Sequence, residues 1–257
     1  MTKAHVPPQA AGNSEQVTSA LVRISERILQ TGRHYAGGLW LRGLCAECNS
    51  LAGARYDDAY ADFARRLRSY NRLPSHFHFP ESQPTPPVSV APGLVARSVM
   101  FGMFAISPNL RVIFPELAED LRAQRRHISM PDGATLRFAI YEDPAARLTG
   151  PVHSLRVLKR REHYSTFAEI FFRPLAWVLT PSGRGDVPPG GVSILDRQRW
   201  ATADDWLQYG PDVTSVDLRN LCRYVPFVQH PLAGSREDWI EMYSDEITPI
   251  LEGRIPV

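Results

Sequence analysis

The chain has 257 residues, with 29 Lys and Arg against 27 Asp and Glu and a formal net charge of +2. Hydrophobic residues make up 44% and charged residues 22%, a globular balance that sets aside disordered, collagen-like and coiled-coil classes. No apolar run reaches the roughly 18 residues of a membrane span, and residues 1–12 hold no apolar core of a secretory signal, so the expected address is cytoplasmic with no membrane partner.

The mild charge balance does not by itself demand a nucleic-acid partner. Lysine stands only at Lys3 and Lys159, and arginine supplies every other cation, a bias that reflects either coding composition or arginine used for bidentate phosphate contacts. Three cysteines, Cys45, Cys48 and Cys222, cannot build a disulfide framework, and the close pair suits a reducing compartment.

Taken in chain order, Asn13 or Ser14 caps a predicted helix running to about Gln30, with Val17, Leu21, Ile24 and Ile28 at helical spacing. From Tyr35 to Leu44 the glycines Gly37 and Gly38 predict a turn into a strand that ends at Cys45. A second helix follows Asn49, its apolar stripe formed by Tyr56, Tyr60, Phe63, Leu67 and Tyr70, with Asp62 and Arg66 paired on the outer face. Residues 74–92 are rich in proline and are read as an extended linker. Beyond it, helices are expected over Leu94 to Ile106 and Asn109 to Arg126, the second broken near Pro115. Strands are expected over Ala134 to Tyr141, Val152 to Leu158 and Glu169 to Thr180, with Pro174 marking a bulge or an edge. Thr202 is read as the cap of a short helix ending at Gly210, and Ser235 as the start of a final amphipathic helix. The expected class is α+β: a small module over 1–73, the linker over 74–92 and a larger mixed domain over 93–257.

The chemistry concentrates near the N-terminus. Cys45-Ala46-Glu47-Cys48 can present two thiolates to one zinc from a tight turn, or can be a reduced, half-buried thiol pair. A zinc site needs further ligands, and His34 is the first candidate because the Gly37-Gly38 turn can fold it back. His5, followed by Val6-Pro7-Pro8, is placed to serve as a general base, although an isolated surface histidine has the same composition. Lys159-Arg160-Arg161 is either a solvated turn or a phosphate-contact patch.

Together, His5-Val6-Pro7-Pro8, the Gly37-Gly38 turn, the strand to Leu44, the Cys45/Cys48 pair, Asn49 and Gly53 resemble the HNH endonuclease family in order and spacing, over about residues 1–70. The resemblance implies a ββα-metal module that cleaves nucleic-acid phosphodiesters, DNA in the first instance. By it, His5 is the general base and Asn49 a metal ligand or its positioner, with Mg²⁺ or Mn²⁺ at the reaction centre and a structural zinc as a second metal. Three positions depart from the family: Ala4 replaces an acidic residue, Trp40 replaces a positioning amide, and the family's upstream cysteine pair falls before Met1. Either the natural start lies upstream or the knuckle is partly lost. Asp57 or Asp58 can replace the missing carboxylate, helix-surface aspartate being the other reading. The loss at Ala4 leaves a ligand set that Mn²⁺ is expected to tolerate better than Mg²⁺. The rival expectation is a catalytically silent interaction or nucleic-acid-binding protein that keeps an HNH-like fold, with a protein partner on the C-terminal domain.

Overall fold

The computed structural model describes residues 1–14, 17–22, 30–70, 87–141, 146–150, 152–154, 164–182 and 201–217. The chain opens with β1 (Thr2–His5), a 3-10 turn at Gln9–Ala11, and two strands, β2 (Val17–Val22) and β3 (Gln30–Tyr35), that pair antiparallel with Val17 opposite Tyr35. This hairpin corrects the helix expected from Asn13 to Gln30. An apolar spacing of four residues, as between Val17 and Leu21, fits a period of two as well as one of 3.6, and the β-branched Val17, Thr18 and Val22 favour the ladder. Ile24 and Ile28 lie outside the described residues.

β4 (Trp40–Leu44) returns antiparallel to β1, with His5 opposite Trp40 and Ala4 opposite Leu41. Two helices follow, α1 (Ala46–Arg55) and α2 (Asp57–Tyr70). The helix therefore starts before Asn49 rather than after it, because Cys45 caps it: the Cys45 backbone is extended and its sulfur accepts the Cys48 N–H at 3.3 Å. Of the predicted apolar stripe, Tyr56, Tyr60, Phe63 and Leu67 are all buried, while the side chain of Tyr70 lies outside the described residues. Arg66 Nε meets Asp62 Oδ2 at 2.7 Å on the outer face.

Part of the expected linker is not a linker. Pro87–Val90 forms β5, paired with β13 (Thr214–Asp217), and Val88 and Val90 alternate into the core. Proline at the first residue of this strand and at the first turn of the next helix breaks neither. That helix, α3 (Pro92–Ile106), is apolar on nearly every face and is accordingly buried on nearly every face. It touches α1, α2, β1 and β4. It also meets the later strand Ala168–Phe172 and a 3-10 turn at Trp206–Gln208. Short helices α4 (Leu110–Ile113) and α5 (Pro115–Arg122) break at Phe114, as Pro115 predicts.

The remaining strands are β6 (Ala134–Ile140), β7 (Arg147–Thr149), β8 (Val152–Ser154), β9 (Tyr164–Thr166), β10 (Ala168–Phe172), β11 (Leu175–Pro181) and β12 (Ala201–Thr202). Five of them form an antiparallel sheet ordered β12-β6-β11-β10-β7, while β8 pairs with β9. Pro174 marks neither a bulge nor an edge. It sits in the two-residue turn between β10 and β11, where Phe172 pairs with Leu175 and the missing N–H costs the ladder nothing. Thr202 likewise joins the sheet opposite Arg137 instead of capping a helix, leaving only the 3-10 turn that follows Asp205. The final helix expected from Ser235 lies outside the described residues.

One hydrophobic cluster runs through residues on both sides of the Pro-rich segment, from Val6, Tyr60 and Phe63 through Val99 and Met100 to Leu136 and Trp177. Its aromatic centre joins α2 to the sheet. Trp206 lies 4.8 Å from Phe138 and 5.9 Å from Phe63, and Phe138 stacks on Trp177 at 4.9 Å between ring centroids. The chain is thus α+β. Among the described residues no helix is long and apolar enough to cross a membrane.

Candidate functional site

A recess opens where β1, α1, α2 and α3 meet, and His5, Asn49, Asp57, Tyr60, Ser98 and Phe101 line it. Three residues singled out in the sequence, His5, Asn49 and Asp57, are therefore brought to one place. Each is held by a different element.

His5 closes β1. Its Nε2–H donates to the Gly37 carbonyl at 3.1 Å, an oxygen that also accepts from Gln9 Nε2 at 3.0 Å. A carbonyl only accepts, so this contact fixes the proton on Nε2 and leaves Nδ1 as the basic nitrogen. Burial lowers the basicity of the ring below its ordinary value; the Gly37 contact opposes that shift and the Lys3 charge adds to it. The net shift favours the neutral ring, the form a general base requires.

Asn13 braces the turn that supplies Gly37 instead of capping the expected helix. Asn13 is almost wholly buried; its Nδ2 donates to Pro7 O at 2.6 Å and Leu39 O at 2.8 Å, and its Oδ1 accepts from Leu39 N at 2.6 Å. One amide thus ties the segment leaving β1 to the segment entering β4. Gly38, at φ 95°, makes room for it, since a Cβ there would lie 1.9 Å from the Asn13 carbonyl oxygen.

Asn49 stands in the first turns of α1, where its Nδ2 donates to Lys3 O at 3.0 Å and staples the helix to β1. Asp57 opens α2, and Ser98 Oγ on α3 donates to its Oδ1 at 2.8 Å. Burial pushes the Asp57 carboxyl above its ordinary value, the Ser98 bond partly offsets this, and Asp58 adds to it. Tyr60 completes the wall. Its phenol lies beside the Trp177 indole without completing a hydrogen bond, so both buried polar atoms are unpartnered. The role of Ser98 was legible only as a polar residue inside an apolar helix, because its partner is 41 positions away.

Cys45 and Cys48 are free thiols at the N-terminus of α1, and neither lines the recess. Cys45 is exposed, and the hydrogen bonds it accepts from Cys48 pull its thiol below the ordinary range. Burial first, and then the neighbouring Cys45, push the half-buried Cys48 up to about 11. Native-state alkylation is therefore expected to modify Cys45 at least about tenfold faster than Cys48. Equal protection of both thiols, released by a chelator, would instead reveal bound zinc. His34 stands opposite Thr18 in β3, with its side chain outside the description. Lys159, Arg160 and Arg161 lie outside the described residues. Among the described residues, no three His, Cys, Asp or Glu side chains cluster tightly enough to hold a metal ion by themselves.

No protein-family model, curated protein or solved structure matches the chain.

Proposed function

We propose that the chain is an HNH-like, metal-dependent nuclease acting on nucleic-acid phosphodiesters, with His5 as general base. The observation that carries the reading is the convergence of His5, Asn49 and Asp57 on one recess beside an antiparallel strand pair and a helix. The available donors are one carboxylate, one amide oxygen and one imidazole. Mg²⁺ and Mn²⁺ commonly take one or two protein carboxylates and keep several waters. Asp57 and Asn49 would be the residues to hold such an ion, and the recess, with room for about one water, would have to widen to admit it. Bound there, such an ion would supply charge neutralisation at the scissile phosphate and at the leaving oxygen. The protein's own part is proton management: Nδ1 of the neutral His5 takes the proton of the attacking water while Gly37 holds the ring in that tautomer. A structural zinc belongs to the same proposal, Cys45 and Cys48 being two of its four ligands; metal analysis of protein purified without chelator tests it.

The silent-module reading has one observation of its own. The Asn49 amide is already engaged with Lys3 O, as a purely structural staple would be.

Supercoiled DNA incubated with the full chain and Mn²⁺ or Mg²⁺ tests the proposal, with Asp57→Asn as the paired variant. Asparagine keeps an acceptor for Ser98 but removes the buried charge. A carboxyl that holds its proton more tightly when folded makes stability fall as pH rises above the unfolded value of 3.8, because the folded state then binds more protons than the unfolded one. Asp57→Asn is thus expected to gain about 0.5–2 kcal/mol of stability at pH 7 while losing metal-dependent nicking. Nicking is expected to be stronger with Mn²⁺ than with Mg²⁺ and absent with chelator. Undiminished nicking by Asp57→Asn would remove Asp57 from the site. DNA binding without cleavage under either metal would favour the silent module.

A further inference from the structure

The outer face of the β1–β4 ribbon bears a cluster that proton transfer does not use. Residues directly opposite one another in an antiparallel pair project to the same face, so His5 and Trp40 share one. Further along, Ala4 pairs with Leu41 and Thr2 with Leu44, leaving Lys3 alone to face both Arg42 and Gly43. This is a bulge, a device that re-aims a side chain and sharpens the local twist. Within it, Gly43 lies so close to α3 that a Cβ would come within 2.0 Å of the Ala105 carbonyl oxygen, and its neighbour Arg42 is exposed.

Arg42 and Lys3 then converge on the half-exposed indole. Lys3 Nζ lies 4.3 Å from the centroid of the Trp40 ring and Arg42 Cζ 5.9 Å from it, within cation–π range. On the described surface Arg65 and Arg66 share Asp62, Arg122 pairs with Glu119 and Arg125 with Asp120, while exposed Arg55 and Arg111 make no ion pair among the described residues. Lys3 and Arg42 make no such ion pair among the described residues. Two exposed cations, stacked on a shared ring beside His5 and with no acidic partner among the described residues, are complementary to a run of phosphates.

We propose that Lys3 and Arg42 form a phosphate clamp for the backbone of a nucleic-acid strand laid across the ribbon toward His5, and that Trp40 is the positioning residue of that clamp. The proposal rests on the nuclease reading for the identity of the strand. It gives Trp40, which departs from the family pattern, a role in substrate seating.

The test is equilibrium binding of a labelled DNA duplex by the full chain in chelator, across a range of salt concentrations. Lys3→Gln and Arg42→Gln are each expected to weaken binding and to reduce the slope of log K against log [salt] by about 0.9. Trp40→Leu, which removes no charge, is expected to weaken binding and flatten the same slope, and Trp40→Phe to restore it by keeping a ring under the cations. Circular dichroism confirms that each variant is folded. An unchanged slope in both cation variants overturns the clamp, even where the wild type cleaves DNA in a His5-dependent manner and the nuclease reading stands. Flattened slopes in a protein that cleaves under no metal support the clamp while the nuclease reading fails. No measurable DNA binding by the wild type overturns both.

Discussion

Replacing Arg97 by methionine is expected to destabilise the protein by about 3–5 kcal/mol, because each carbonyl left without its donor costs about 1 kcal/mol or more. Arg97 is 3% exposed in the middle of α3. Its Nη1 donates to Gly93 O at 2.8 Å and Tyr209 O at 2.9 Å, and its Nη2 to Arg125 O at 2.9 Å and Arg126 O at 2.8 Å. The guanidinium thus fastens the central helix to the segment after α5 and to the loop before β13. Burial lowers its affinity for its proton, with Tyr56 opposing that shift, and the four carbonyl dipoles stand where a carboxylate would otherwise be needed. Arg97→Lys is expected to fall between wild type and methionine, since one ammonium cannot reproduce a planar fork with four acceptors. Urea unfolding followed by tryptophan fluorescence measures both. A loss below about 1 kcal/mol for Arg97→Met would show that the carbonyls find water instead. Ser98 follows Arg97 directly, so loosening this part of α3 also loosens the partner of Asp57.

Arg97 also illustrates what the sequence conceals. Features set by neighbours along the chain were legible: the Gly37-Gly38 turn, the apolar stripe of α2, the break at Pro115 and the strand from Ala134. Each depends on a local backbone preference or on one face of one element. The hairpin from Val17 was not, because a four-residue spacing satisfies helix and strand alike and only the pairing with Gln30–Tyr35 decides. The strand Pro87–Val90 was hidden for a related reason. Its partner Thr214–Asp217 lies far along the chain, and proline at its start reads locally as linker.

The recess shows the same division. The residue types were legible at His5, Asn49 and Asp57, since each lies near a turn or a helix start. The contacts that give them their properties were not. Ser98 reaches Asp57 across 41 positions, Asn49 reaches Lys3 across 46, and Gly37 reaches His5 across 32. A basic or acidic residue becomes a chemical group with a defined proton only through such distant partners.

His5→Ala is expected to lower metal-dependent cleavage by about 10²–10⁴-fold, the usual contribution of one positioned base. The fold should survive, because His5 is only half-buried and Gln9 continues to donate to the Gly37 carbonyl that the ring abandons. The pH profile separates a proton-transfer role from a structural one. Burial foremost, with Lys3 adding to it, places the His5 pKa below 6.5, so activity should rise through an acid limb below that value and level off at neutral pH. Lys3→Gln removes one of the two lowering influences and should move this limb upward, whatever it does to affinity. The alanine variant should lose the limb altogether and recover part of its rate when imidazole is added. Cleavage by His5→Ala equal to that of wild type, with the acid limb intact, would trace the activity to another protein and end the assignment of His5 as the base.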